Sequence, residues 1–177
     1  MKDYVCEPLG NHHDRTQFDC GVSVLNDYLA KYAKQDVKRK ASAVFVLVKR
    51  AELKRVIGFY TLCATSVDLA ELPEEVTRKL PRYPEIPAIL VGRLARDVNY
   101  PGAGSLLLSD AITRCVRVAS EIAASLIVVD SKGEAATRFY EKFGFISLPK
   151  LSNRMFLPMQ TAEKLWVFAD YLTSSML

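Results

Sequence analysis

Two stretches of this 177-residue chain combine residue types suited to holding an anionic ligand and moving a proton. The first is GRLARDVNYPGAGSLLLSDA, residues 92–111, where a strand ends near Leu94, a turn holds Gly102 and Gly104, and a helix begins at about Ser105. Glycines let a backbone approach a ligand closely, and the unpaired amides and positive dipole end of a helix attract phosphate. A G-x-G before a helix also suits a plain tight turn, and spacing alone leaves both readings open. The second stretch is VVDSKGEAATRFYEKFGF, residues 128–145. Here Tyr140 lies on the apolar face of a helix that follows a strand. Its hydroxyl could point into a cleft, but a core tyrosine gives the same pattern.

Other ionisable residues flank these stretches. Asp97 stands beside the turn, while Asp110 and Asp130 occupy helix and strand-end positions where carboxylates usually serve structure. Arg93 and Arg96, at a strand end, suit a phosphate or an ion pair equally well. His12 and His13 are adjacent and near the start, and they are read as a surface turn. Cys6, Cys20, Cys63 and Cys115 are scattered with no C-x-x-C pair, so neither a metal site nor a redox motif is expected, and four reduced cytosolic thiols are.

The net charge of +4 says little, but its distribution says more. Residues 31–55 hold nine Lys and Arg against Asp36 and Glu52, a local +7 that leaves the rest slightly acidic. Such a patch suits an anionic partner such as RNA. A solvated helix end and hairpin tip would read the same way.

The elements that must position these residues follow from the apolar pattern. Residues 4–8 predict a short strand. Asp19 is placed to cap a helix whose stripe runs Val22, Leu25, Leu29 and Tyr32, fading into basic residues 34–40. Residues 43–48 (AVFVLV) and 56–63 (VIGFYTLC) flank a charged tip and predict a hairpin. Residues 72–87 carry four of the eight prolines around one helical turn, a long surface connection. A fourth strand spans 88–94. A helix over 106–122 presents Leu107, Leu108, Ala111, Ile112, Cys115, Ala119 and Ile122 on one face, and 125–130 is a buried fifth strand. A helix over 134–143 ends at Gly144. Strands at 145–148 and 154–157 and an amphipathic helix over 161–172 close the chain. The order predicts an α+β fold in which the fourth and fifth strands form a parallel crossover through a helix, with a ligand site at the strand ends. Composition, 50% apolar and 25% charged, suits one globular domain and excludes disordered or collagen-like chains. No run approaches the roughly 18 apolar residues of a membrane span, and the start is too polar for a signal peptide.

The N-x-x-G-x-G turn from Asn99 to Gly104, set between strand and helix, and the F-Y-E-K-F-G-F helix end together resemble the GNAT acetyltransferase family over nearly the whole chain. That resemblance implies the GNAT acyltransferase fold, a central mixed twisted sheet flanked by helices. It implies a single N-acetyltransferase domain over 1–177 with a helical extension from about 161. FDCGVSVLNDYL (18–29), GFYTL (58–62), PAILVGRLA (87–95) and 139–145 are similar to the toxin branch, the partners of ribbon-helix-helix antitoxins. In that branch the acetyl group goes to the amino acid of an aminoacyl-tRNA. The resemblance therefore implies acetyl-CoA as co-substrate and no metal. Leu94, Ala95 and Arg96 would offer backbone groups to the pantetheine arm, Asn99, Gly102, Ala103, Gly104 and Ser105 would hold the pyrophosphate, and Tyr140 would face the sulfur. It also implies a homodimer, and the thiols and the lack of an apolar span add the expectation of a cytoplasmic protein without membrane contact. The family usually has Gln or Arg where Asn99 stands, and the branch usually has two more residues in or beside the glycine turn.

The chemistry agrees with these implied roles. Acetyl transfer needs an amine to attack a thioester and an acid for the leaving thiolate, and a tyrosine, with a reference pKa of about 10, arrives protonated. No general base is evident. An α-amine has a reference pKa near 8, lowered further by an ester, whereas a lysine at about 10.4 would need a base, so an aminoacyl amine is favoured. Lys34, Lys38, Arg39 and Lys40 are the candidate patch for tRNA phosphates. Acetylation of a small amine or protein amine is the alternative within this class. A non-catalytic RNA- or protein-binding module on the same scaffold is the alternative from another.

Overall fold

The computed structural model describes residues 3–148 and 153–165. Among them β1 (Tyr4–Pro8), β2 (Ala43–Lys49), β3 (Gly58–Asp68), β4 (Glu85–Arg96), β5 (Leu126–Asp130), β6 (Ile146–Ser147) and β7 (Arg154–Pro158) form one sheet in the order β1-β2-β3-β4-β5-β7-β6. The pairs β1/β2, β2/β3, β5/β7 and β6/β7 are antiparallel. The helices are α1 (Ser23–Asp27), which continues through a π turn (Tyr28–Tyr32) into α2 (Ala33–Arg39), then α3 (Glu74–Thr77), α4 (Ala103–Ala119) and α5 (Glu134–Glu141). The chain is again helical over 159–165, and the remainder of the helix expected over 161–172 lies outside the described residues. No helix among the described residues is long and apolar enough to cross a membrane.

Two compact units divide the chain, one of residues up to 63 with 91–111, the other of 64–90 with 112 onward. The first has its core where α1, the π turn and α2 cover one face of the sheet: Phe18, Tyr28, Leu29, Ala33, Val44, Val46, Phe59 and Ala95 pack together. β-Branched and aromatic residues alternate in β2 and β3, so Val46 opposite Phe59 puts two apolar side chains on that face. The second unit packs Val67, Leu72, Ile86, Ala88, Leu126, Val128, Leu148 and Phe156. Each fully buried Leu or Phe contributes about 1.5–3 kcal/mol, which is what fixes the strand registers beneath the site.

Several expectations are corrected. Asp19 does not cap the first helix: Val22 is the N-cap, without a side-chain bond, and Asp19 instead accepts from Gly21 N–H at 2.8 Å and Asn26 Nδ2 at 2.7 Å. The predicted stripe is broken as well, with Val22 49% and Tyr32 52% exposed. The π turn adds a residue to the repeat, so Ala33 rather than Tyr32 follows Leu29 into the core. Helix α4 starts two residues before the expected Ser105 and ends before Ile122, which is 73% exposed. Strands β3 and β4 run beyond the expected 56–63 and 88–94, to Asp68 and Arg96. The four cysteines are free thiols.

Candidate active site

The turn between β4 and α4 is built by a buried carboxylate. Asp97, 1% exposed, accepts from Asn99 N–H at 2.9 Å, Asn99 Nδ2 at 3.0 Å and Asp19 N–H at 3.3 Å. Three donors satisfy a group that burial would otherwise penalise. Its own N–H donates to Ile57 O at 2.7 Å, and Val98 N–H donates to Asp19 O at 2.9 Å, so both arms of the turn are anchored. Gly102 then takes φ +87°, where only glycine is unstrained, and no atom lies within 4 Å of where a Cβ would stand. Gly104 lies inside the first turn of α4. Ser105 and Gly102 are exposed and Ala103 is buried. An open turn at the N-terminus of a 17-residue helix fits a diphosphate, since the dipole end and backbone amides there favour negative charge.

Cations reinforce that field. Tyr100, in the turn, has Lys49 Nζ 5.2 Å and the Arg55 guanidinium 5.7 Å from its ring centroid. Arg96 spends its guanidinium on the turn itself, donating to Asp97 O at 3.0 Å and Val98 O at 3.2 Å, so it braces the backbone. The predicted patch is one element: Lys34, Lys38 and Arg39 lie in α2, and Lys40 closes it with φ +59°. Lys38, Arg39 and Lys40 are exposed and Lys34 is half-buried.

The other unit carries the predicted tyrosine. Tyr140, 8% exposed, sits in the last turn of α5 within a cluster of Phe139, Phe143 and Phe145, with ring centroids 5.3–5.6 Å apart. Gly144, at φ +84°, ends the helix, and the Tyr140 carbonyl accepts from Phe143 N–H at 2.9 Å and Phe145 N–H at 3.3 Å. Burial, with a smaller contribution from the nearby negative charge of Asp130, pushes the Tyr140 phenol up to about 12. The phenol therefore stays protonated across the physiological range. Asp130 is held by Arg154, which donates to both of its oxygens at 2.7 and 3.1 Å.

Of the two histidines expected in a surface turn, only His12 lies in one. His12 is exposed, but His13 is buried, and both meet Glu7 Oε1, at 3.0 and 2.8 Å. His13 Nδ1 accepts the Gly10 N–H at 2.8 Å, so the neutral ring carries its proton on Nε2 and donates it to Glu7. Both nitrogens are thereby used, and burial lowers the His13 pKa, favouring that neutral form. The arrangement is a hydrogen-bonded clasp on β1, since a cation at Nε2 would have to displace the proton.

Among the sequence-predicted residues, Leu94, Ala95, Arg96, Asn99, Gly102, Ala103, Gly104 and Ser105 follow one another from the end of β4 into α4, and Tyr140 belongs to α5 of the other unit. The Asn99 amide is already engaged by Asp97. Sequence reasoning missed Asp97 as the organiser of the turn, although D-x-N at 97–99 is an Asx-turn signal. It also missed the Tyr28–Arg93 pair described below. A concavity lined by Val76, Leu80, Pro81, Met159 and Thr161 touches none of the predicted residues.

The sheet order, with a glycine turn leading from β4 into α4, defines a GNAT-type acyltransferase. No protein-family model matches the chain. It is 38% identical over 159 residues to a tRNA-acetylating toxin of Mycobacterium tuberculosis, covering 89% of this chain and 93% of that protein. It is 32% identical over 171 residues to a probable toxin TacT of Sinorhizobium fredii, covering 91% and 94%. Among solved structures, AtaT complexed with acetyl-methionyl-tRNAfMet superposes with a TM-score of 0.85 at 29% identity, over 93% of this chain and 99% of that one. A tyrosine-to-phenylalanine variant of AtaT, bound to the C-terminus of the antitoxin AtaR and acetyl-CoA, gives 0.77 at 25% identity over 93% and 98%. The chain belongs to this family of tRNA-acetylating GNAT toxins.

Proposed function

We propose that the chain is an acetyl-CoA-dependent N-acetyltransferase acting on the amine of aminoacyl-tRNA, a cytoplasmic toxin that blocks translation and is restrained by a ribbon-helix-helix antitoxin. The observation that carries this reading is the anchored turn: an open left-handed glycine followed at once by the N-terminus of a long helix, with Lys49 and Arg55 against it. Membership of the toxin family adds the acceptor and the antitoxin. The 177 residues work as one N-acetyltransferase domain extended by the helical segment from about 161, and two copies form a dimer.

Each residue then has a task. Backbone groups of Leu94, Ala95 and Arg96 align the pantetheine arm as an added strand would. Gly102, Ala103, Gly104 and Ser105 hold the diphosphate with main-chain N–H groups and a hydroxyl, and Asn99 keeps the turn closed against Asp97. Acetyl-CoA, once bound, supplies the thioester carbonyl that the amine attacks. Tyr140 gives its proton to the departing sulfur, and the proton of the attacking amine passes to water, because an ester-linked α-amine is already largely neutral at pH 7. Lys34, Lys38, Arg39 and Lys40 meet tRNA phosphates.

The test is incubation with labelled acetyl-CoA and either charged or deacylated tRNA, followed by RNase. Label on charged tRNA alone is expected. Equal label on both, or on neither, would overturn the assignment.

A further inference from the structure

Arg93 is the cation of β4 that neither the turn nor the sheet consumes. Its guanidinium lies 3.8 Å from the centroid of the Tyr28 ring and is half-buried. Its backbone N–H donates to Thr61 Oγ1 at 3.0 Å, but among the described residues no carboxylate or carbonyl accepts from the guanidinium itself. Arg96 and Arg154 differ, since both are spent on protein oxygens. Tyr28 is itself fixed: its hydroxyl donates to Asp36 Oδ2 at 2.9 Å, its ring stacks on Phe59 at 5.9 Å between centroids, and it is 5% exposed. The plane and position of the guanidinium are therefore set in advance. A planar fork held on an aromatic face with its N–H donors unspent is suited to an oxyanion, above all phosphate, which it can meet with two parallel bonds.

The location narrows the choice. Arg93 and Ala95 are two apart on β4 and so share a face, and Ala95 packs with Tyr28, Leu29 and Phe59. That face is covered by the helical segment that continues into the basic helix α2. In the reading above, the diphosphate lies beyond residue 96 and the arm runs back over Arg96, Ala95 and Leu94. At about 3.3 Å per residue, its reactive end then lies beside Arg93. The acceptor amine must come to the same place, and in an aminoacyl-tRNA the nearest anion is the phosphate on the 5′ side of the aminoacylated ribose.

We propose that Arg93, stacked on Tyr28, binds that terminal phosphate and so positions the acceptor amine. The proposal rests on the aminoacyl-tRNA reading and adds a positioning residue to it. Phosphate chemistry is shared with the co-substrate, so the experiment separates the two sources. Arg93→Gln is expected to raise KM for aminoacyl-tRNA about tenfold or more with a smaller change in kcat. Acetyl-CoA affinity should stay within about twofold, and the slope of log KM against log salt should fall by about 0.7, one single-strand phosphate contact. Deacylated tRNA, which keeps the phosphate, should bind the variant more weakly by a similar factor. Arg93→Lys keeps the charge without the plane and should fall between the two. An unchanged KM and salt slope, a parallel loss of acetyl-CoA affinity, or a lysine variant equal to the parent would each overturn the proposal. Failure of the parent protein to acetylate aminoacyl-tRNA would instead sink the underlying reading, and binding of deacylated tRNA would still report on Arg93.

Discussion

The Tyr60 hydroxyl donates to the Asp110 carboxylate, tying the buried middle of β3 to the second turn of α4. The two residues are 50 apart in the chain, and Tyr60 is further held by stacking on Phe45 across the β2/β3 hairpin. The helix whose N-terminus follows the glycine turn is thus clamped to the sheet a few residues beyond that turn. Tyr60→Phe keeps the ring and removes the donor. It should cost about 1–3 kcal/mol, the usual penalty for depriving a charged acceptor of a bond inside a protein. The midpoint of urea unfolding reads this, and an unchanged midpoint would show that the bond contributes nothing net.

Tyr140→Phe removes the proposed acid and keeps the aromatic cluster. Acetyl-CoA should bind as before while turnover drops by about 100-fold or more. Calorimetric titration beside single-turnover acetylation separates these effects, and unchanged turnover would exclude Tyr140 as the acid.

Alkaline titration should show Tyr28 and Tyr140 ionising late. Tyr28 and Tyr140 are both pushed up to about 12, in each case first by burial, with Asp36 and Asp130 adding negative charge. A tyrosine in the unfolded chain ionises near pH 10. Because the folded values are higher, the stability these neutral phenols contribute is complete below about pH 10 and is lost as pH rises toward 12. Phenolate absorbance should therefore show a phase near 12 that is smaller by one group in Tyr140→Phe. If all eight tyrosines titrated together near 10, burial would not be acting on either ring.

Gly102 and Gly104 should separate two effects. At φ +87° an alanine is strained by roughly 1–2 kcal/mol although nothing crowds its Cβ, so Gly102→Ala should destabilise the fold and weaken acetyl-CoA binding together. Gly104 is helical, so Gly104→Val should leave the unfolding midpoint nearly intact and weaken binding by blocking close approach. Unaltered affinity in Gly104→Val would reduce the turn to a structural element.

Replacing Lys34, Lys38, Arg39 and Lys40 with Glu should strongly weaken tRNA acetylation and leave acetyl-CoA affinity unchanged, because phosphate contacts position the acceptor without touching the thioester. Added salt should mimic the substitutions. Acetylation that ignores both would move the tRNA contact to another surface.

What the sequence determined by itself is what adjacent residues decide among themselves. The F-Y-E-K-F-G-F run carries a helix, its glycine stop and an aromatic cluster within seven residues, and α5 with Gly144 at φ +84° is its realisation. The order of elements along the chain, the hairpin between β2 and β3 and the glycine turn before α4 were legible for the same reason, since periodicity and turn chemistry are local. The tertiary structure decided the duties of the polar residues. Asp97 became the organiser of the turn because Asp19, 78 residues away, arrives beside it. Arg93 and Arg96 are equivalent by residue type, yet one lies on the Tyr28 ring and the other braces its own turn. At the π turn Tyr32, three residues after Leu29, turns out of the core, while Ala33, four after it, stays in. Apolar residues announce their fate by pattern, because burial depends on which face they occupy. A charged group's role depends on which partner the sheet order and register bring within about 3 Å, and no local pattern contains that distance.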